Sequence, residues 1–402
     1  MTIGNSVMNA YGTTIFTVMS QLAVAHKAIN LGQGTPEGLE PPEIIAAAAR
    51  AIERGPHQYP PMMGVPRLRQ AIAEHAARFY DLSIDPDQEV MVTSGATEAL
   101  ADCLFGLIEP GDEVIVFEPT YDSYIPIIRR AGGVPVTIRL EPPNWDLSHE
   151  LVEKAFSDRT KLILINTPQN PCGKVFTREE LKILAKNIET HDAYAICDEV
   201  YEHLVFDGSV HQPLMAFPGM RERCIKIGSA GKIFSITNWK VGWIIADAAL
   251  MAPIAKTHQF ITFTTPTPLQ EAVAEGLQFE DAYFQGLVLD LAQRRDRLVQ
   301  GLSALGFKPL TCQGTYFLSA DFSALGFPGQ DADFCRSLVQ EAGVAAVPLS
   351  AFYEAAPTGR TILPEGAGDA AAPPGQTIRF CFAKTAADIE EALSRLGGRF
   401  GC

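Results

Sequence analysis

Three short apolar runs in the middle of this chain stop abruptly at polar residues, and that pattern most limits how it can fold. Leu162-Ile163-Leu164-Ile165 gives way to Asn166-Thr167-Pro168-Gln169-Asn170-Pro171-Cys172-Gly173. Ala195-Ile196-Cys197 gives way to Asp198-Glu199-Val200-Tyr201, and Ile225-Lys226-Ile227 to Gly228-Ser229-Ala230-Gly231-Lys232. Runs this short and β-branched read as buried strands. Around them, helical spacing over 42–52, 66–80, 121–131 and 177–190 alternates with further strands over 88–93, 113–117, 134–140 and 241–246. The alternation predicts an α/β fold with a mainly parallel central sheet, covered by helices on both faces. Carboxyl ends of parallel strands lie side by side, and open α/β sheets bind ligands along that edge. Asn170, Asp198, Tyr201 and Lys232 are therefore expected to converge.

A long helical stretch over 269–302 leads out of this region. Beyond about 306, strands over 315–318 and 377–382 and helices over 331–341 and 386–396 suit a smaller α+β domain. The expected division is an N-terminal arm over 1–35, a large domain over 36–285 and a small domain over 286–402. Residues 364–376 are rich in Gly, Ala and Pro and read as a mobile loop. A formal net charge of −15 argues against nucleic acid and anionic membrane surfaces as partners. No apolar run is long enough to span a bilayer, and the N-terminus lacks the basic-then-apolar layout of a signal peptide. The eight cysteines form no C-x-x-C pair, so they read as small buried residues in a reducing, cytoplasmic setting.

Each of the four converging residues has an ordinary explanation when taken alone. Asn170 before Pro171 suits a turn, Asp198 a helix cap, Tyr201 packing, and Lys232 a surface turn. Together those explanations would have to coincide four times, always at the end of a strand. A further junction runs from the strand over 88–93 into Ser94-Gly95-Ala96-Thr97-Glu98. Small residues there expose backbone N–H groups at a helix N-terminus, a ready anion site. A lysine amine, a carboxylate, a phenol and an amide beside an anion cradle suit pyridoxal 5′-phosphate. Its aldehyde takes the amine, its ring nitrogen the carboxylate, and its 3-oxygen the phenol and amide.

Residues 166–173, 198–201, 229–232, 239–243 and Ile378-Arg379-Phe380 resemble the class I/II, fold-type-I aminotransferases, in order and over nearly the whole chain. Asn30-Leu31-Gly32-Gln33-Gly34, residues 228–234 and Trp239-Lys240-Val241-Gly242-Trp243 carry a closer likeness to the kynurenine/glutamine/methionine branch. The resemblance implies that Lys232 is the Schiff-base lysine and Asp198 the partner of the pyridine nitrogen. It implies that Tyr201 and Asn170 bind the 3-oxygen, that Tyr121 stacks on the ring, and that Gly95, Ala96, Thr97, Ser229 and Lys240 hold the phosphate. Arg379 would grip the substrate α-carboxylate, with Gly34 and Asn170 beside it. Tyr59 would reach the phosphate of a second subunit, since family members are homodimers. Much of the wider family has arginine where this chain has Lys240, and lysine supplies the charge as a point instead of a fork.

The implied reaction is ping-pong transamination between an L-amino acid and a 2-oxo acid, with Lys232 moving the α-proton. The likeness also implies neutral, aromatic or sulfur-containing donors and aromatic walls such as Phe263, Phe352 and Tyr353. β-Elimination from cysteine conjugates or cystathionine begins with the same proton abstraction, and no motif separates it. Succinyl-diaminopimelate and aspartate stay open as alternative donors. A cofactor-sensing DNA-binding regulator is disfavoured by the acidity and by a pattern that begins near residue 30.

Overall fold

The computed structural model describes residues 3–354, 359–364 and 375–401. Most of the loop expected over 364–376 therefore lies outside the described residues. At the centre is an eight-stranded sheet in the order Arg360–Ile362, Val134–Arg139, Glu113–Glu118, Thr160–Asn166, Tyr194–Asp198, Cys224–Ser229, Gly242–Ile245, Val90–Thr93. Every neighbouring pair is parallel except the two made by Gly242–Ile245. Residues 230–241, which separate it from the preceding strand, hold only the short helices Ala230–Ile233 and Thr237–Trp239, with no helix that could cover the sheet as a crossover, and the chain returns antiparallel.

Side chains alternate across the sheet and feed two cores. Leu162, Leu164, Ile196, Ile225 and Ile227 pack into one. Ile163, Ile165, Ala195, Cys197 and Cys224 pack into the other. Strands buried on both faces need apolar residues at every position, which is why these runs are continuous instead of alternating. The mainly parallel α/β sheet expected from the sequence is the one found.

Several elements differ in their limits. The helical stretch expected over 269–302 is two helices, Thr267–Leu277 and Asp281–Ala304. The break frees the Phe279 carbonyl to accept a hydrogen bond from Arg78 (2.8 Å) and lets the Phe279 ring meet Tyr283 edge-on (5.1 Å between centroids). The helix expected from 121 begins at Tyr124, leaving Tyr121 in the turn at the sheet edge. The strand expected over 315–318 is Phe317–Asp321.

A second, antiparallel sheet joins Val347–Pro348, Thr377–Cys381, Phe317–Asp321 and Lys308–Pro309. The N-terminal arm is tied to this region. Ile29–Asn30 pairs in parallel with Val344–Ala345, and the Cys381 N–H donates to the Leu31 carbonyl (2.6 Å). These bonds lay residues 31–34 against the strand that carries Arg379. In the opposite direction, Arg360–Ile362 returns to the large sheet and pairs with Val134–Arg139. Among the described residues, no helix is long and apolar enough to cross a membrane.

Candidate active site

The strand Cys224–Ser229 ends in a four-residue helix, Ala230–Ile233, which the Ser229 side chain caps by accepting the Gly231 N–H (3.2 Å). That turn presents Lys232 at the carboxyl edge of the sheet. Beside it, the strand Val90–Thr93 runs into the helix Gly95–Leu107. Gly95 has φ of +77°, which turns the first N–H groups of that helix toward the edge; a side chain would strain it and would meet the Lys240 amine at 3.3 Å. Helix N–H groups, the Ser229 hydroxyl and the Lys240 charge thus form a cradle suited to an anion.

Asp198 closes the strand Tyr194–Asp198 next door. Its Oδ2 accepts from the Tyr124 hydroxyl at 2.5 Å, while its Oδ1 is buried with no hydrogen-bond partner. Burial pushes this carboxyl upward, against the opposing pull of the Tyr124 hydroxyl, the Val200 N–H and Lys232. The Lys232 amine donates to the Tyr316 hydroxyl (3.1 Å). Burial works to lower its pKa, but Tyr316, Tyr121 and Asp198 outweigh it and hold the ammonium above its usual range. Tyr201 is buried and meets Tyr316 edge-on (5.2 Å).

Arg379 forms the other end. It is 1% exposed, donates through Nη1 to Asn170 Oδ1 (2.8 Å) and through Nη2 to the Gly32 carbonyl (2.7 Å). Its guanidinium lies 3.8 Å from the Phe317 ring centroid and 5.0 and 5.3 Å from those of Phe352 and Phe16. Burial lowers its pKa to about 10, so it stays charged at neutral pH. Its Nε is buried without a partner. The arm passes close at Gly34, where a Cβ would lie 2.5 Å from Phe317 and 3.1 Å from Tyr316.

Gly34, Gly95, Ala96, Thr97, Tyr121, Asn170, Asp198, Tyr201, Ser229, Lys232, Lys240 and Arg379 all line one cavity of about 300 Å³. Residues 26–396 match the model of the family described as aminotransferase class I and II. The chain belongs to that family. This aminotransferase is 40% identical to the methionine aminotransferase of Escherichia coli K12, over 98% of both chains. It is 35% identical to human kynurenine–oxoglutarate transaminase 1, over 94% of this chain and 93% of that protein. The structure of N-succinyldiaminopimelate aminotransferase from Mycobacterium tuberculosis superposes with a TM-score of 0.91 at 41% identity, covering 98% of this chain and 99% of that one.

Class I/II aminotransferases depend on pyridoxal phosphate, and the residues of this aminotransferase fit that group. A buried carboxylate oxygen without a partner suits a protonated ring nitrogen, and the Gly95 cradle suits a phosphate. Among the residues expected at the site, Tyr59 stands apart. It is 84% exposed, outside the cavity, with its ring edge-on to Phe263 (5.7 Å). Of the expected aromatic walls, Phe352 is beside Arg379, whereas Tyr353 lies against Arg139 (5.1 Å) and Phe263 is out with Tyr59. Tyr316, Tyr124, Phe16 and Phe317 also stand at the site, touching Lys232, Asp198 and Arg379, and were not expected from the sequence. Tyr124 carried a usable signal, an i, i+3 spacing from Tyr121 in a turn at a strand end; Phe16, far upstream in the arm, carried none.

Proposed function

We propose that this aminotransferase moves the amino group of a neutral, aromatic or sulfur-containing L-amino acid to a 2-oxo acid by a ping-pong route. The observation that carries this reading is the buried Arg379, walled by Phe16, Phe317 and Phe352, with its Nε directed to no protein acceptor. A guanidinium has five N–H groups, and two are engaged by Asn170 and Gly32. The others bind the substrate α-carboxylate, and the aromatic rings around them favour an apolar side chain. The kynurenine and methionine enzymes among its relatives support the same donor class.

Pyridoxal phosphate, when bound, supplies an aldehyde for the amino group and a ring that withdraws electrons from the α-carbon. Lys232 takes the α-proton at Nζ and returns it as the general acid. Asp198, kept oriented by the Tyr124 hydroxyl and with Oδ1 unpartnered, would pair with the ring nitrogen. Tyr201 and Asn170 would hold the 3-oxygen, and Tyr121 would cover the ring. Gly95, Ala96, Thr97, Ser229 and Lys240 would hold the phosphate. Tyr59 would serve the phosphate of a second subunit in a homodimer, a role its exposed position, edge-on to the exposed Phe263, suits. The seven described cysteines are free and buried, which suits a cytoplasmic protein. The division into 1–35, 36–285 and 286–402 belongs to the same proposal.

The likeness to the succinyldiaminopimelate enzyme supports a succinylated diamino acid as a second donor. Initial rates with methionine, kynurenine, aspartate and N-succinyldiaminopimelate, each against 2-oxoglutarate and pyruvate, test the reading. The expected result is parallel double-reciprocal lines and a kcat/KM for methionine roughly 10²-fold above that for aspartate. The opposite order would overturn the donor class.

A further inference from the structure

The phenol of Tyr316 touches the one amine on which the reaction depends, and its hydrogen bonds have a direction. Its O–H donates to the Gly34 carbonyl (3.1 Å), while its oxygen accepts an N–H from Lys232 (3.1 Å). A phenol has a single hydrogen. With that hydrogen committed to Gly34, the oxygen acts toward Lys232 only as an acceptor. A neutral amine held by one of its own N–H groups keeps its lone pair free. A donor in the same place would cap that lone pair and quench the base.

The surroundings fix the hydroxyl. Tyr316 is 1% exposed, with Tyr201 edge-on at 5.2 Å and Phe317 at 4.8 Å. The residue before it, Thr315, has φ of +68°, a region that a β-branched residue rarely enters. That backbone is held by the Thr315 N–H on the Leu204 carbonyl (2.9 Å) and by the Phe317 N–H on Thr315 Oγ1 (3.1 Å). Strain maintained one residue from a side chain that touches the reacting amine marks a side chain whose aim matters. The acceptor is fixed as well, since Gly34 could carry no side chain at its distance from the Tyr316 and Phe317 rings.

We propose that Tyr316 is a positioning residue, holding the Lys232 nitrogen with its lone pair unmasked at a fixed place relative to the Arg379 carboxylate grip. The link runs from Lys232 through the Tyr316 hydroxyl to Gly34, whose loop lies on the Arg379 strand. The proposal rests on Lys232 being the base.

Tyr316→Phe removes the hydroxyl and keeps the ring. The test compares wild type, Tyr316→Phe and Lys232→Ala as full-length chains, with cofactor content and thermal midpoint read on each sample. In the holoenzyme, Tyr316→Phe should lower kcat by about tenfold or more while KM for the amino acid changes by less than about threefold. In the cofactor-stripped chain, the pH midpoint for labelling of Lys232 by an amine-reactive acylating reagent, read by mass spectrometry, should fall by about one unit, because a partner of the ammonium form is lost. A kcat within about twofold of wild type together with an unshifted labelling midpoint would overturn the proposal. Turnover retained in Lys232→Ala would instead overturn the reading beneath it, whatever Tyr316→Phe does.

Discussion

Arg379 is a buried cation, and burying one costs several kcal/mol unless its hydrogens are used and its charge is compensated. Asn170, the Gly32 carbonyl and the Phe317 face supply that compensation in the free protein. A planar fork can hold those partners and a carboxylate at once; an ammonium cannot. Arg379→Lys is therefore expected to lower kcat/KM for the amino acid roughly 10²-fold, mainly by raising KM. An unchanged KM would mean that the carboxylate is bound elsewhere. Among the site residues, Lys232, Asp198 and Asn170 were legible in the sequence because each follows the end of a short apolar run, and strand ends in a parallel sheet must meet. Arg379 was legible only through family likeness, since nothing in an isolated strand over 377–382 says which loop it will face. Tyr316 was not legible. It lies 84 residues from Lys232 along the chain, and the two meet only once the second sheet packs against the first.

Elements are joined behind the phosphate cradle by a histidine that the sequence gave no reason to single out. His258, on the helix Ala248–Ile261, donates through Nδ1 to Glu98 (3.0 Å), with Asp102 Oδ2 at 3.5 Å. Glu98 in turn accepts the Ser94 N–H at the start of the cradle helix. His258 Nε2 reaches the Met62 carbonyl (3.1 Å), so both ring nitrogens donate and the ring is an imidazolium. Burial alone would lower its pKa, but the neighbouring carboxylates of Asp102 and Glu98, the latter accepting its Nδ1–H, overcome that and bring it to about 9. The folded value is above the unfolded one of 6.5, so the stability it adds is complete below about 6.5 and is lost as pH rises through about 9. Asp102, pushed up to about 6 by burial, adds a loss of the same sign at lower pH. His258→Gln should cost about 2 kcal/mol near neutral pH, and the gap from wild type should close in alkali. Denaturant melts across pH check this; a gap that widens in alkali would contradict it. The helix break at residues 278–280 was equally hidden, because it serves Arg78 two hundred residues away, not its own periodicity.

At the scale of the whole molecule, one chain supplies a nearly complete site yet leaves Tyr59 84% exposed. Its ring neighbour Phe263 is 40% exposed, and Phe260 and Ile261, just before Phe263 in the chain, are 82% and 53% exposed, which is costly apolar surface for a free monomer. The homodimer reading gives both facts one cause. Tyr59→Ala should weaken cofactor binding about tenfold, with little change in the thermal midpoint of the cofactor-free protein. Cofactor titration at concentrations where gel filtration shows a dimer checks this, and an unchanged Kd would remove Tyr59 from the phosphate. The mainly parallel sheet was legible in the α/β alternation, but the order of its strands and the antiparallel Gly242–Ile245 were not. Nor was the crossing of Arg360–Ile362 back to the large sheet, because a three-residue strand carries no periodicity of its own.

The proposed role of Lys232, carrying the cofactor and moving the donor's proton, can be read from an absorption spectrum. Purified protein should show a visible band that moves to the near-ultraviolet on adding methionine, and Lys232→Ala should abolish that response. A wild-type protein with no visible band after incubation with pyridoxal phosphate, or a Lys232→Ala variant that responds as wild type does, would contradict the account.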